Sequence, residues 1–215
     1  MFAAPEKLAS LRHLLAERFP TVPRHAGRVL STGIPALDAA RGGLPLGALT
    51  ECVAAHPSSG GHLMLAQLLA VTRVQRQRMA LIDATNCFDP GSLPEDQLVH
   101  LLWVRCHTTA QAVQAVDLVA RDANLGLVCL DLRYASPADL RRIPGSQWYR
   151  LQRAAEPADL ALLVLTPIAC VPSAEVRFVL DHSHSLADLD EERPALTAKI
   201  HATLDRQRRS IATAS

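Results

Sequence analysis

Short apolar runs that alternate with helical patterns predict an α/β protein built on a mostly parallel central sheet flanked by helices. Two observations carry this reading. The runs Leu49 to Val53, Met79 to Asp83, Leu101 to Arg105, Leu127 to Asp131 and Leu160 to Thr166 are nearly continuous in apolar character, as strands covered on both faces must be. Between them, Leu63 to Gln77, Thr109 to Ala123 and Pro137 to Ala155 carry apolar residues at helical spacing.

The ends of the chain read differently. Leu8, Leu11, Leu14, Leu15 and Phe19 recur at helical spacing with charges between them, so residues 5–19 are expected to form an amphipathic helix that stops at Phe19-Pro20. A linker rich in Pro, Arg and Gly follows, Thr21 to Arg28. The expected organisation is an N-terminal helical arm, 1–28, and a core with C-terminal strands, 29–215. Arg177 to Leu180 and Thr197 to Leu204, the latter alternating through Ala198, Ile200, Ala202 and Leu204, suggest two antiparallel edge strands that close the sheet.

Composition narrows the class. The 215 residues amount to about 1.4 domains at roughly 150 residues each. At 49% apolar and 20% charged residues the chain can bury a real core, and collagen, coiled-coil and low-complexity classes are excluded. Lys plus Arg is 22 and Asp plus Glu is 21, so no global field attracts nucleic acid or an anionic membrane. Met1 to Lys7 does not read as a secretory signal, and no apolar window reaches membrane-spanning length. The five cysteines, 52, 87, 106, 129 and 170, suit neither a disulfide framework nor a metal site, so reduced thiols in a cytoplasmic protein are expected. Only Lys7 and Lys199 are lysines, which leaves positions 8 to 198 with none.

That absence bears on the turn after Val53, where an open α/β sheet is expected to place a ligand. Ala54-Ala55-His56-Pro57-Ser58-Ser59-Gly60-Gly61-His62-Leu63 has the strand, small-residue loop and helix start of a phosphate-binding loop, GxxxxGK[ST]. In that frame Ala55 takes the first glycine, Gly60 the second, Gly61 the lysine and His62 the hydroxyl residue. Ser58, Ser59, Gly60, Gly61 and His62 either cradle an anion or simply turn the chain and cap the helix. An arginine or a neighbouring subunit is then needed for the lysine's charge. Asp131, closing an apolar strand, is either a magnesium-orienting acid or an ordinary strand-end aspartate. Thr85, where a water-activating glutamate would be useful, is not a base. No catalytic residue, metal site or cofactor is expected, with ATP and magnesium as the alternative.

Leu30-Ser31-Thr32-Gly33-Ile34-Pro35-Ala36-Leu37-Asp38, then Gly42-Gly43-Leu44-Pro45-Leu46-Gly47-Ala48-Leu49-Thr50-Glu51, resembles the opening of the RecA core. Ala80 to Pro90 resembles the RecA segment in which the catalytic glutamate would stand at Thr85. The resemblance spans roughly Val29 to Leu180 and implies a RecA-like central domain. It departs from the recombinases at Gly61, His62, Thr85 and Thr166, and the connection Pro167 to Glu175 is short for a DNA-binding loop. Such a compact, degenerate chain with an N-terminal helix is most similar to the ImuA family, which overlaps with SulA-like division inhibitors.

The resemblance implies a non-catalytic role in SOS-induced translesion synthesis, with RecA, an ImuB-like polymerase-fold protein and an error-prone replicative-type DNA polymerase as partners. A weak ATPase and a SulA-like cell-division inhibitor are the alternatives. The stripe Leu8, Leu11, Leu14, Leu15 and Phe19 is a candidate partner or self-association arm, or it packs on its own core. Arg133, Arg141, Arg142, Arg150 and Arg153 lie near Tyr134, Trp148 and Tyr149, a candidate DNA grip or a solvated helix face. Arg206, Arg208 and Arg209 form a second basic tip.

Overall fold

The computed structural model describes residues 28–207. The predicted helix over 5–19, with its stripe Leu8, Leu11, Leu14, Leu15 and Phe19, lies outside them, as do Arg208 and Arg209. The described residues begin with β1 (Val29–Leu30), α1 (Pro35–Arg41) and β2 (Leu44–Pro45), and β1 and β2 form a small antiparallel pair. The main body follows as β3 (Ala48–Ala54), α2 (Gly61–Val74), β4 (Arg78–Asp83), β5 (Leu101–Arg105), α3 (Thr109–Val119), β6 (Leu125–Asp131), α4 (Pro137–Arg141), α5 (Gly145–Ala155) and β7 (Ala161–Thr166). It ends with β8 (Val176–Leu180), α6 (Arg193–Ala198) and β9 (Ala202–Gln207).

The seven long strands form one sheet in the order β5-β4-β6-β7-β3-β8-β9. Neighbours from β5 to β8 are parallel, and β9 alone runs antiparallel, against β8. The expected mostly parallel α/β architecture is thus present. Of the two C-terminal strands, β8 runs parallel to its inner neighbour β3, and the antiparallel pairing is between β8 and β9.

The near-continuous apolar runs divide with period two into two cores, because successive side chains point to opposite faces. Leu49, Ala80, Ile82, Val128, Leu130, Leu162 and Val164 face α3 and α5, where Val113, Val116, Trp148 and Leu151 are fully buried. Cys52, Met79, Leu81, Leu127, Cys129, Leu163 and Leu165 face α1 and α2, meeting Leu37, Met64, Leu65, Leu68 and Leu69. A strand of this kind carries no polar face, which is why alternation is absent from its sequence.

Local chemistry moves two predicted boundaries. The helix expected over 137–155 is two helices, because Pro144 disfavours helical geometry at Ile143, and α5 restarts directly after it. The strand expected over 197–204 begins instead as α6, with Pro194 in its first turn. Ile200 is buried in the core on the α1 and α2 side, beside the loop at Gly60, but it precedes the strand, which begins only at Ala202.

The opening motif has a structural function. Asp38 in α1 accepts hydrogen bonds from the Thr32 amide (2.9 Å), the Gly33 amide (2.9 Å), the Thr32 hydroxyl (2.7 Å) and the Ser31 hydroxyl (2.9 Å). This ties the turn after β1 to the helix. Gly43 has φ +136°, and a Cβ there would lie 2.1 Å from the Leu30 carbonyl oxygen, so only glycine lets β2 approach β1.

Candidate functional site

The carboxyl ends of β3, β4, β6 and β7 converge on the turn into α2, where the sequence places a phosphate-type loop. Gly60 sits at the helix N-cap with φ +92°, and α2 begins at Gly61. Ser59 is buried, and its hydroxyl donates to the His56 carbonyl at 2.6 Å. Ser58 is exposed, and its carbonyl accepts the His184 amide at 2.9 Å. A Cβ on Gly60 would meet Ile200 Cγ1 at 3.1 Å and His184 Nε2 at 3.4 Å. The C-terminal segment therefore lies directly against the loop.

The inner side of the turn is occupied by Arg133. A Cβ on Gly61 would lie 2.3 Å from its Nη1 and 2.8 Å from its Cδ. The residue in the lysine's place is therefore a glycine because an arginine from the β6 end fills the space. Arg133 reaches there by folding back on Asp131. Its Nε donates to one carboxylate oxygen at 2.9 Å and its Nη2 to the other at 2.6 Å, while its amide donates to the first at 3.1 Å. The pair is buried, with side-chain exposures of 4% and 0%. Burial works against the guanidinium's charge, but the paired Asp131 carboxylate outweighs it and raises the Arg133 pKa.

His62 completes the cluster from outside. Its Nδ1 lies 3.4 Å from Arg133 Nη2 and its Nε2 lies 3.2 Å from the Tyr134 hydroxyl. Arg133 also lies over the Tyr134 ring, at 5.7 Å. Packing of the imidazole against these groups, and then the guanidinium itself, lower the His62 pKa below its ordinary value. A neutral His62 can accept from Arg133 and donate to Tyr134.

This arrangement does not fit magnesium nucleotide. Both Asp131 oxygens are engaged by one guanidinium, so the acid read as a candidate metal ligand is an ion-pair partner. The space that a side chain at position 61 would enter is filled by Arg133. Among the described residues no group of three or more His, Cys, Asp or Glu is placed to hold a metal ion.

The neighbouring strand ends are likewise committed to structure. Asp83 accepts from the amides of Thr85 (3.2 Å), Cys87 (3.1 Å) and Phe88 (3.0 Å), and from the Trp103 indole (3.4 Å), which shapes the turn carrying Thr85. The connection Pro167 to Glu175 is fastened by buried Glu51. It accepts from the amides of Cys170 (2.7 Å) and Val171 (3.1 Å) and from the Thr166 hydroxyl (3.2 Å), and pairs with Arg177 at 2.6 Å. Burial and then the Glu51 carboxylate push the Cys170 thiol up to about 12. All five cysteines are free, with Cys52, Cys106 and Cys129 buried and Cys87 and Cys170 partly so.

The basic cluster is divided between the interior and the surface. Arg133 is buried, Trp148 is 1% exposed in the core, Arg142 pairs with Asp139 at 3.1 Å, and Arg150 pairs with Asp117 at 3.1 Å. Arg141, Arg153 and Tyr149 remain exposed. Beside Tyr134 a cleft of about 650 Å³ opens at the strand ends, bordered by Thr85, His107, Ser136, Arg142 and Gln147.

Arg133 is the residue whose role the sequence reading misassigned, placing it among candidate phosphate contacts. The usable signal was Asp131-Leu132-Arg133 in a chain whose loop has lost its lysine. No helix among the described residues is long and apolar enough to cross a membrane. No protein-family model matches the chain, and no curated protein matches it.

Proposed function

We propose that this chain is a non-catalytic, cytoplasmic RecA-like adaptor in SOS-induced translesion DNA synthesis. In this reading it binds RecA and an ImuB-like, error-prone polymerase complex. The observation that supports the non-catalytic part is the buried Arg133–Asp131 pair beside Gly61, in which one guanidinium engages both carboxylate oxygens. The mutagenesis role rests on the RecA and ImuA resemblance of the segments around Thr32, Gly43 and Asp83. An inert loop supports a binding function, because affinity then has to come from surfaces.

Two experiments test the two parts. Magnesium ATP at millimolar concentration leaves the melting temperature unchanged, since a ligand of the native state would stabilise it by RT ln(1 + [L]/Kd). A clear upward shift, or turnover lost on Asp131→Asn, overturns the non-catalytic reading. Tagged chain recovered from DNA-damaged cells after nuclease treatment carries RecA or the mutagenesis polymerases. Recovery of the tubulin-like division protein in their place would move the role to division control.

A further inference from the structure

The strand order creates a crevice apart from the loop at Gly60. From β4 the chain passes outward to β5, through a connection whose Phe88, Leu93 and Leu98 pack on the α1 and α2 face. From β6 it passes the other way to β7, through α4 and α5 on the opposite face. The adjacent carboxyl ends of β4 and β6 therefore continue in opposite directions, and in open α/β sheets ligands lie in the crevice that such a parting leaves. The cleft of about 650 Å³ is at this point, with Thr85 following β4 and Tyr134 and Ser136 following β6. No residue of the 54–62 turn borders it among the described residues.

The groups around the cleft offer donors and have little left to accept with. Asp139 is the only carboxylate that borders it among the described residues, and both its oxygens are engaged, one by Arg142 at 3.1 Å and the other by the Ser136 hydroxyl at 2.7 Å. Thr108 accepts the Gln111 amide at 3.2 Å, which leaves its hydroxyl proton to donate. The Gln147 side chain has no partner among the described residues, and Arg142, 80% exposed, spends one N–H on Asp139 and keeps the others. Such a set is satisfied by a ligand that brings acceptor oxygens, and the guanidinium favours charged ones. Tyr134, whose hydroxyl lies 3.2 Å from His62 Nε2, and Ile143 add apolar surface.

We propose that this cleft binds a small organic anion, its carboxylate or phosphate oxygens on Arg142, Gln147 and Thr108 and its planar or aliphatic body against Tyr134 and Ile143. The volume lies within the roughly 300–1,000 Å³ of small-molecule sites, which are mostly apolar with a few placed polar groups. The site is separate from the loop at Gly60 and independent of the partners proposed above.

The test is amide NMR of the full labelled chain with benzoate, phenyl phosphate and the neutral isostere benzamide at millimolar concentration. Benzoate or phenyl phosphate is expected to shift the Thr108, Tyr134 and Gln147 amides in a saturable way, and the tighter of the two identifies the head group. Benzamide binds about tenfold more weakly, as does the anion to Arg142→Gln, the usual scale for a hydrogen bond to a charged group. Asp139→Asn tightens the anion, because it frees the guanidinium and removes the one competing carboxylate. Arg141→Gln, an exposed change that does not border the cleft, leaves binding unchanged. Melting temperatures serve as the folding control for each variant. The proposal is overturned if neither anion shifts these amides, if benzamide binds as well as benzoate, or if Arg142→Gln and Asp139→Asn change affinity in the same direction. It is also overturned if a short single-stranded oligonucleotide shifts these amides where neither small anion does.

Discussion

Gly61 and Arg133 occupy complementary space: the side chain that Gly61 lacks would have its Cβ 2.3 Å from the Arg133 Nη1, so any larger residue at the helix start requires the strand-end arginine to shift. A phosphate loop needs a long cation on the helix and a free acid on the strand. Here the cation comes from the strand end, and it neutralises that same acid.

Gly61→Ala is expected to lower stability by about 1–3 kcal/mol, the usual range for forcing a methyl group into filled space. In an Arg133→Ala background the same change should cost much less, because its collision partner is gone. Denaturant unfolding of the four proteins gives the coupling. Equal losses in both backgrounds would show that the two residues do not compete for this space.

Arg133→Ala alone leaves Asp131 charged and buried among apolar strands. Removing one partner of such a pair costs about 3–5 kcal/mol. Arg133→Ala with Asp131→Leu should recover much of that loss, since apolar replacement of both partners removes the unpaired charge. Chemical denaturation of the single and double variants decides this.

His62 ties stability to pH in a defined direction. Its folded pKa lies below the ordinary histidine value, so the unfolded chain takes up the proton first as pH falls. The stability associated with neutral His62 is therefore complete above about pH 6.5 and declines as pH falls from there through the folded pKa. In His62→Gln this part of the pH dependence is expected to disappear. Denaturant midpoints of the two proteins measured from pH 8 down to pH 5 provide the comparison.

Glu51 holds the Pro167 to Glu175 connection and also suppresses the Cys170 thiolate. Glu51→Gln should weaken the attachment and bring the Cys170 pKa down from about 12, because the carboxylate that raises it is removed. The readout is the rate of Cys170 alkylation at mildly alkaline pH, with the other four cysteines changed to Ser or Ala. Faster labelling in Glu51→Gln is expected, and an unchanged rate would count against the contact.

The central strands β3, β4, β6 and β7 and the order of helices between them are legible in the sequence because strands buried on both faces must be apolar throughout, whereas β5 is nearly as apolar but lies at the sheet edge with no residue buried. Leu127 to Asp131 and Leu160 to Thr166 show this within one residue pair of their observed starts. The turn at Gly60 is legible as well, since small residues between a strand and a helix pattern have few other uses. Local chemistry at Pro144 and Pro194 was also written in the chain, although helical periodicity across Ile143 masked the break.

The alignment of β8 with β3, the use of Ile200 as a cover for Gly60, and the pairing of Arg133 with Asp131 were decided by tertiary structure. Each depends on distances between residues far apart in the chain, or on which of several directions a long side chain takes, and neither is encoded by periodicity. Gly61 illustrates the division. By itself the sequence determined that no lysine stands in the loop, and only the packed strand ends decided that the space is filled by an arginine, because a buried carboxylate needs a counter-charge in a dry interior.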